Sequence, residues 1–293
     1  MNTKGHPKFL IFLLCLSMTI WGVAWSSAKV LAGYGSSSHI AWIRFVFVFT
    51  SLGILLPLLK LPIRIPKKGW GITFGAFASM TGYSLLFFYA MQIGNSGAGG
   101  VLVTTTIPVL SYGIGWLLHR KTLPKKDYLG LTLGFLSLFF LQHLWAPDEG
   151  FFDLPSALLL ICSLLWAIMT KFSSKANLFT HPLTFNFWIH TLTVLCLGLF
   201  LDHQETLRIL KEGDALFWGN LLFFGIINST GATTIYLYAT TKLGAERATS
   251  FIYLVPLGAL LSSWVFLGET PLWYTIVGGV IGVMAAMQLQ RKA

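Results

Sequence analysis

The run Leu243-Gly244-Ala245-Glu246-Arg247-Ala248-Thr249, an apolar stretch interrupted at Pro256, then Phe266-Leu267-Gly268-Glu269-Thr270-Pro271 and Gly278-Gly279-Val280-Ile281-Gly282 decide how this chain is read. A weaker copy lies 148 residues upstream, where Pro108 matches Pro256, Trp116 matches Trp264, Thr122 matches Thr270, and Gly130 and Gly134 match Gly278 and Gly282. The chain therefore reads as two versions of one unit, 1–146 and 147–293.

Composition sets the solvent of those units. Apolar residues make up 55% of the chain, charged residues only 10%, and the mean hydropathy is +0.72; a soluble domain carries about 25% charged residues. Apolar blocks of about 20 residues, enough to cross about 30 Å of hydrocarbon, recur at 9–32, 38–59, 69–91, 96–118, 127–145, 154–172, 182–201, 215–240, 245–267 and 272–289. These predict an all-α membrane protein of ten transmembrane helices. The first block outruns a signal-peptide core and reads as a retained span.

A net charge of +10 suggests nucleic acid, yet the cations alternate along the chain instead of gathering in one patch. Lys4, Lys8, Lys60, Arg64, Lys67, Lys68, Arg120, Lys121, Lys125, Lys126, Lys171, Lys175, Lys242, Arg247, Arg291 and Lys292, 16 of the 20, fall on one side of the ten-span layout. Eight of the ten acids take the other side. Short basic loops stay cytoplasmic, so both termini are expected inside the cell, with the lipid bilayer as partner and no nucleic acid. Five spans per unit is odd, which inverts the second unit relative to the first. Inverted repeats usually hold a substrate near the bilayer midplane; duplication for packing alone is the other reading.

Candidate site residues are the polar and aromatic groups at mid-depth. Trp21, Trp25 and Lys29 are four apart and share a helix face. Arg44 lies in the next span, and intramembrane cations face a cavity or a partner; snorkelling to the headgroups is the alternative. Tyr83 and Tyr89 come from span 3 and Thr105 from span 4. Pro108 frees the carbonyl of residue 104, and with Pro256, preceded by Tyr253, it predicts two broken helices on one cavity; a passive kink stays open. Asn186 stands 15 residues after Lys171, as Arg44 stands 15 after Lys29. His190 shares its face, either as a proton shuttle or as a neutral, hydrogen-bonded core histidine. Span 8 adds Asn228, Thr233 and Tyr236 in the most polar mid-membrane run. Gly130/Gly134 and Gly278/Gly282 permit close helix packing and read as scaffold or homodimer faces.

Catalytic and ATP-binding motifs are missing: there is no His-Glu-x-x-His, Gly-x-Ser-x-Gly or Walker loop. The single cysteines Cys15, Cys162 and Cys196 argue against a disulfide or zinc framework. No enzyme activity, cofactor or metal is expected.

Trp21-Gly22 with Lys29, Ala41 to Phe45 around Arg44, and above all Leu243-Gly244-Ala245 through Pro256 to Gly268-Glu269 and the closing glycines resemble the EamA family of the drug/metabolite transporter superfamily. The resemblance covers both halves. It implies ten helices in an inverted five-plus-five repeat, a central substrate site with helices 5 and 10 peripheral, and secondary transport, commonly export of amino acids, related metabolites or drugs. Where the family often has a glutamate matching Glu269, the first half has His119-Arg120-Lys121, which puts a paired-glutamate role in doubt. Glu269 and His190 stand as gate or coupling candidates. The resulting expectation is alternating-access export of a small amphipathic metabolite. Uptake or exchange of a larger charged metabolite, such as S-adenosylmethionine or a nucleotide conjugate, is the first alternative, and a lipid scramblase or membrane scaffold the second.

Overall fold

The computed structural model describes residues 7–119, 125–141, 143–144 and 153–290. Its helices in chain order are α1 (Pro7–Ala32), α2 (Ser37–Leu58), α3 (Trp70–Ile93), α4 (Ser96–His119), α5 (Lys125–Leu141), α6 (Leu154–Ser174), α7 (Pro182–Gly198), α8 (His203–Glu212), α9 (Ala215–Leu222), α10 (Thr233–Leu243), α11 (Ala245–Thr249), α12 (Val255–Leu267) and α13 (Trp273–Gln290). Among the described residues there is no strand. Such a backbone suits hydrocarbon, where every N–H and C=O must pair within the chain. Among the described residues six helical stretches are long and apolar enough to cross a membrane, and a seventh joins them if α7 and α8, bent by 112°, are taken together. The apolar parts of α5, α12 and α13 are shorter.

Helix starts follow local capping chemistry. The Asp153 carboxylate accepts from the Ser156 amide with Pro155 in the first turn, and Asp202 accepts from Gln204. Asp214 accepts from Phe217 and from the Tyr34 hydroxyl at 2.7 Å. The Phe217 amide and then Tyr34 hold the Asp214 carboxyl below the usual carboxylate range. At the end of α12, Gly268 takes a left-handed conformation (φ 69°), which glycine adopts without steric cost, and its amide bonds to the Trp264 carbonyl.

Three features depart from the sequence reading. The segment after α7, read as a loop, contains α8: Asp202 caps it, Arg208 pairs with Glu205 and Glu212 one turn either side, and Thr206 and Ile209 are buried. The two prolines do not break their helices alike. α4 continues through Pro108, with the hydroxyls of Thr104, Thr105 and Thr106 bonded back to the carbonyls of Gly100, Val101 and Leu102. Pro256 instead opens α12 after a 3-10 segment, Ser250–Leu254, in a first turn where a missing N–H costs no helical bond. Finally, Phe223–Ala232 is a π-helix joining α9 to α10.

The halves interlock. α3 and α4 pack on α6, α1 and α4 on α12, α2 on α7, and α1 on the α9–α10 stretch. α1 and α12 cross at glycines, and a side-chain carbon added to Gly22 would stand 2.7 Å from the Gly258 Cα. α5 and α13 pair with each other beside this group. Ser137 donates to the Gly278 carbonyl at 2.7 Å, Gly278 abuts Leu141, Gly282 abuts Thr105, and Gly134 abuts Val109. Gly130 is buried as well. The glycines read as scaffold or homodimer faces pack within the chain here, because small residues let α5, α13 and α4 approach one another closely.

Candidate functional site

The middles of α1 to α4, α6, α7 and the π-helix, with Ile252 of the 3-10 segment, converge on one cavity of about 610 Å³, space at its open side included. Its wall is largely aromatic. Trp21 meets Trp166 edge-on at 5.1 Å and Tyr236 at 4.8 Å. Tyr83 lies 4.8 Å from Trp166 and stacks on Phe87 at 5.4 Å, and Trp25 meets Phe87 at 5.0 Å. Aromatic walls with few polar groups suit a partly apolar ligand.

Arg44 is the charged group on this wall. It is 4% exposed; Nη2 donates to Ser84 Oγ at 2.9 Å while Nε has no partner. Its guanidinium lies 4.1, 5.1 and 5.5 Å from the ring centroids of Phe45, Phe224 and Phe88. Among the described residues no carboxylate pairs with it. Three aromatic faces at about 0.5–2 kcal/mol each return about 1.5–6 kcal/mol to the cation, of the same order as the several kcal/mol that burying an ion costs. The rings offset the burial of Arg44, and an anion would add the charge-assisted pairing that they do not supply.

Some other polar groups of the wall also lack a hydrogen-bond partner among the described residues. His190 is 1% exposed, and neither ring nitrogen has a hydrogen-bond partner among the described residues. The Trp21 indole N–H and Asn228 Oδ1 are likewise unpartnered. Asn228 is aimed by the π-helix, in which Ser229, Thr230 and Thr233 hydroxyls donate to carbonyls five residues back. π-turns recur at functional sites because they shift one turn of side chains out of α register.

Of the sequence candidates, Trp21, Trp25, Arg44, Tyr83, His190, Asn228 and Thr233 line the cavity. Others do not. Lys29 Nζ donates to the Gly94 carbonyl at 2.6 Å, tying α1 to the α3–α4 turn. Tyr89 is 42% exposed on the outside of α3. Thr105 bonds to Val101 and faces Gly282. Asn186 donates to Thr234 at 2.9 Å, and Tyr236 lies behind Trp21 with its hydroxyl 3.0 Å from that of Thr170. The Tyr253 side chain lies outside the described residues. Glu269 sits at the start of α4, where its carboxylate accepts from Ser96 N, Ser96 Oγ (2.7 Å) and Gly97 N (3.1 Å). Sequence reasoning left out Phe87, Thr104, Trp166, Phe224 and Ser229. Trp166 carries a signal in the sequence, a tryptophan at mid-span like Trp21; phenylalanines in apolar spans carry none. Among the described residues no three His, Cys, Asp or Glu gather as a metal site.

A strongly apolar, all-helical bundle enclosing such a cavity defines a multi-pass membrane protein of the transporter class. The chain belongs to the EamA-like transporter family, whose model matches residues 8–142 and 154–289. A Bacillus subtilis (strain 168) protein described as the uncharacterized transporter YdfC is 22% identical over 92% of this chain and 86% of its own. An Archaeoglobus fulgidus protein described as an uncharacterized transporter is 25% identical over 96% of this chain and 98% of its own. One solved crystal structure of a protein, 16% identical, superposes with a TM-score of 0.65 over 95% of both chains, a likeness of fold.

Proposed function

We propose that this membrane transporter is a secondary carrier of the cytoplasmic (inner) membrane. It moves a small amphipathic metabolite bearing a carboxylate or phosphate, amino acids and their relatives foremost, out of the cell by alternating access around the Arg44 cavity. The observation that carries this is the buried guanidinium on an aromatic wall, with no carboxylate pairing it among the described residues. Charge-assisted, bidentate pairing with an oxyanion is what that group offers a ligand. The same cation suits the phosphates of a nucleotide conjugate, and counterflow with each ligand class separates the two.

Alternating access needs two opposed halves. The reading of ten spans in two inverted repeats, 1–146 and 147–293 with both termini inside, is supported by the pairing pattern: α4 on α6 is answered by α12 on α1, and α3 on α6 by α9–α10 on α1. On that layout Glu269 of the second half latches Ser96 and Gly97 of the first at the outer end, and Lys29 with Gly94 stands beside it. Replacing Glu269 with alanine frees α4 and is expected to raise access to the cavity from outside.

Overproduction followed by comparison of metabolites inside and outside the cells tests the export reading. The expected result is outward enrichment of an anionic or zwitterionic amphipathic compound, lost with Arg44→Ala. Identical profiles with and without the protein would sink it.

A further inference from the structure

On the reading of the Arg44 cavity as an anion site, we infer that the anion does not travel alone: a proton binds with it, on His190, and the two cross together. The imidazole is placed for this. It is almost wholly enclosed, lines the same cavity as Arg44, and both ring nitrogens lack partners. Phe45 touches both groups, with its centroid 4.1 Å from the guanidinium carbon and 4.9 Å from the imidazole centroid.

The charges around His190 are few. α2 contributes Arg44, and α3 contributes Tyr83. The π-helix and α10 bring neutral Asn228 and Thr233, and among the described residues no carboxylate lines the cavity. Of the other titratable groups on the packed helices, the Tyr236 hydroxyl lies 3.0 Å from that of Thr170, Tyr89 is exposed on α3, His39 bonds to Ser36 and the Asp202 carbonyl, Lys242 lies over the Tyr238 ring, Cys196 lies in the last turn of α7 and His181 caps its start. Arg44 thus repels a second positive charge at His190 while the site is empty. A carboxylate seated on Arg44 cancels that repulsion and offers a proton on the imidazole an attractive partner. Linkage is reciprocal, so the proton strengthens anion binding by the same factor.

The balance is simple. One proton from solution joins an imidazole lone pair as one anion joins the guanidinium, and both leave on the far side. A monoanion then crosses without net charge movement; export runs down the metabolite's own gradient and carries a proton out with it, and an outer solution more acid than the inner one opposes it.

The test uses the full-length protein in detergent with 3-phenylpropionate, which carries a carboxylate and a ring but no ammonium. Quenching of the cavity tryptophans reads binding, and a pH dye in weak buffer reads protons. Between the pH at which the imidazole titrates with the site empty and the higher pH at which it titrates with the anion seated, up to one proton is taken up per bound anion and affinity falls by up to about tenfold per pH unit. His190→Gln binds more weakly, without pH dependence or proton uptake, and Arg44→Gln loses binding. Arg44-dependent binding that is flat with pH and takes up no proton overturns the inference and leaves the anion reading standing. Proton uptake that persists in His190→Gln overturns the assignment to His190, and absence of Arg44-dependent binding removes both. The wild-type titration decides the matter even if a variant fails to fold.

Discussion

Replacing Arg44 with alanine lowers transport by about ten- to a hundredfold while leaving the folded protein about as stable. Hydrogen bonds to a charged group are worth about 1.5–3 kcal/mol, and each 1.4 kcal/mol is about tenfold in affinity. Stability should not follow activity down, because the guanidinium has one hydrogen bond, to Ser84, and no ion pair among the described residues. Removing it relieves a desolvation cost and gives up three ring contacts of similar total size, with no ion pair broken, so the two effects largely cancel. Arg44→Lys keeps the charge but not the planar fork and restores flux only in part. Initial flux in proteoliposomes, read beside thermal unfolding, separates the possibilities. Unchanged flux would take Arg44 out of the site, and a large fall in Tm would make it a structural residue.

The second large effect is at the crossing of α1 and α12. Gly22→Val is expected to abolish stable folding, whereas Gly71→Ala is tolerated. The new carbon at Gly22 meets backbone, 2.7 Å from the Gly258 Cα and 3.1 Å from the Val255 carbonyl, so no side chain can swing aside. Overpacking costs about 1–3 kcal/mol even where a core can adjust, and here two helices must part. Gly71 has nothing within 4 Å of the corresponding position. Size-exclusion profiles and Tm in detergent check both; a well-behaved Gly22→Val protein would contradict the close approach.

The all-helical class was legible because hydrocarbon leaves the backbone one choice; where each helix stops was set by caps such as Asp153 and Gly268, which apolar blocks alone do not reveal. Arg44, His190 and Asn228 were legible as site candidates because polar groups at mid-depth are costly and therefore rare. Facing was harder. α3 is apolar all round, so no periodicity says that Tyr83 turns inward and Tyr89 outward. The π-helix was hidden because a shift from fourth- to fifth-residue bonding depends on neighbours such as Ser51, whose hydroxyl lies 2.6 Å from that of Thr230. Pro108 and Pro256 matched in sequence, yet the outcome at each was set by the turn before it, threonine-pinned in one half and 3-10 in the other.

Alternating access around this cavity is tested most directly by placing one cysteine at Thr104, on the cavity wall, after replacing Cys15, Cys162 and Cys196. A membrane-impermeant maleimide is then applied to each face of sealed vesicles. The expected result is labelling from either face, slowed by a bound anion; a cysteine that one face never reaches, with or without ligand, would contradict it.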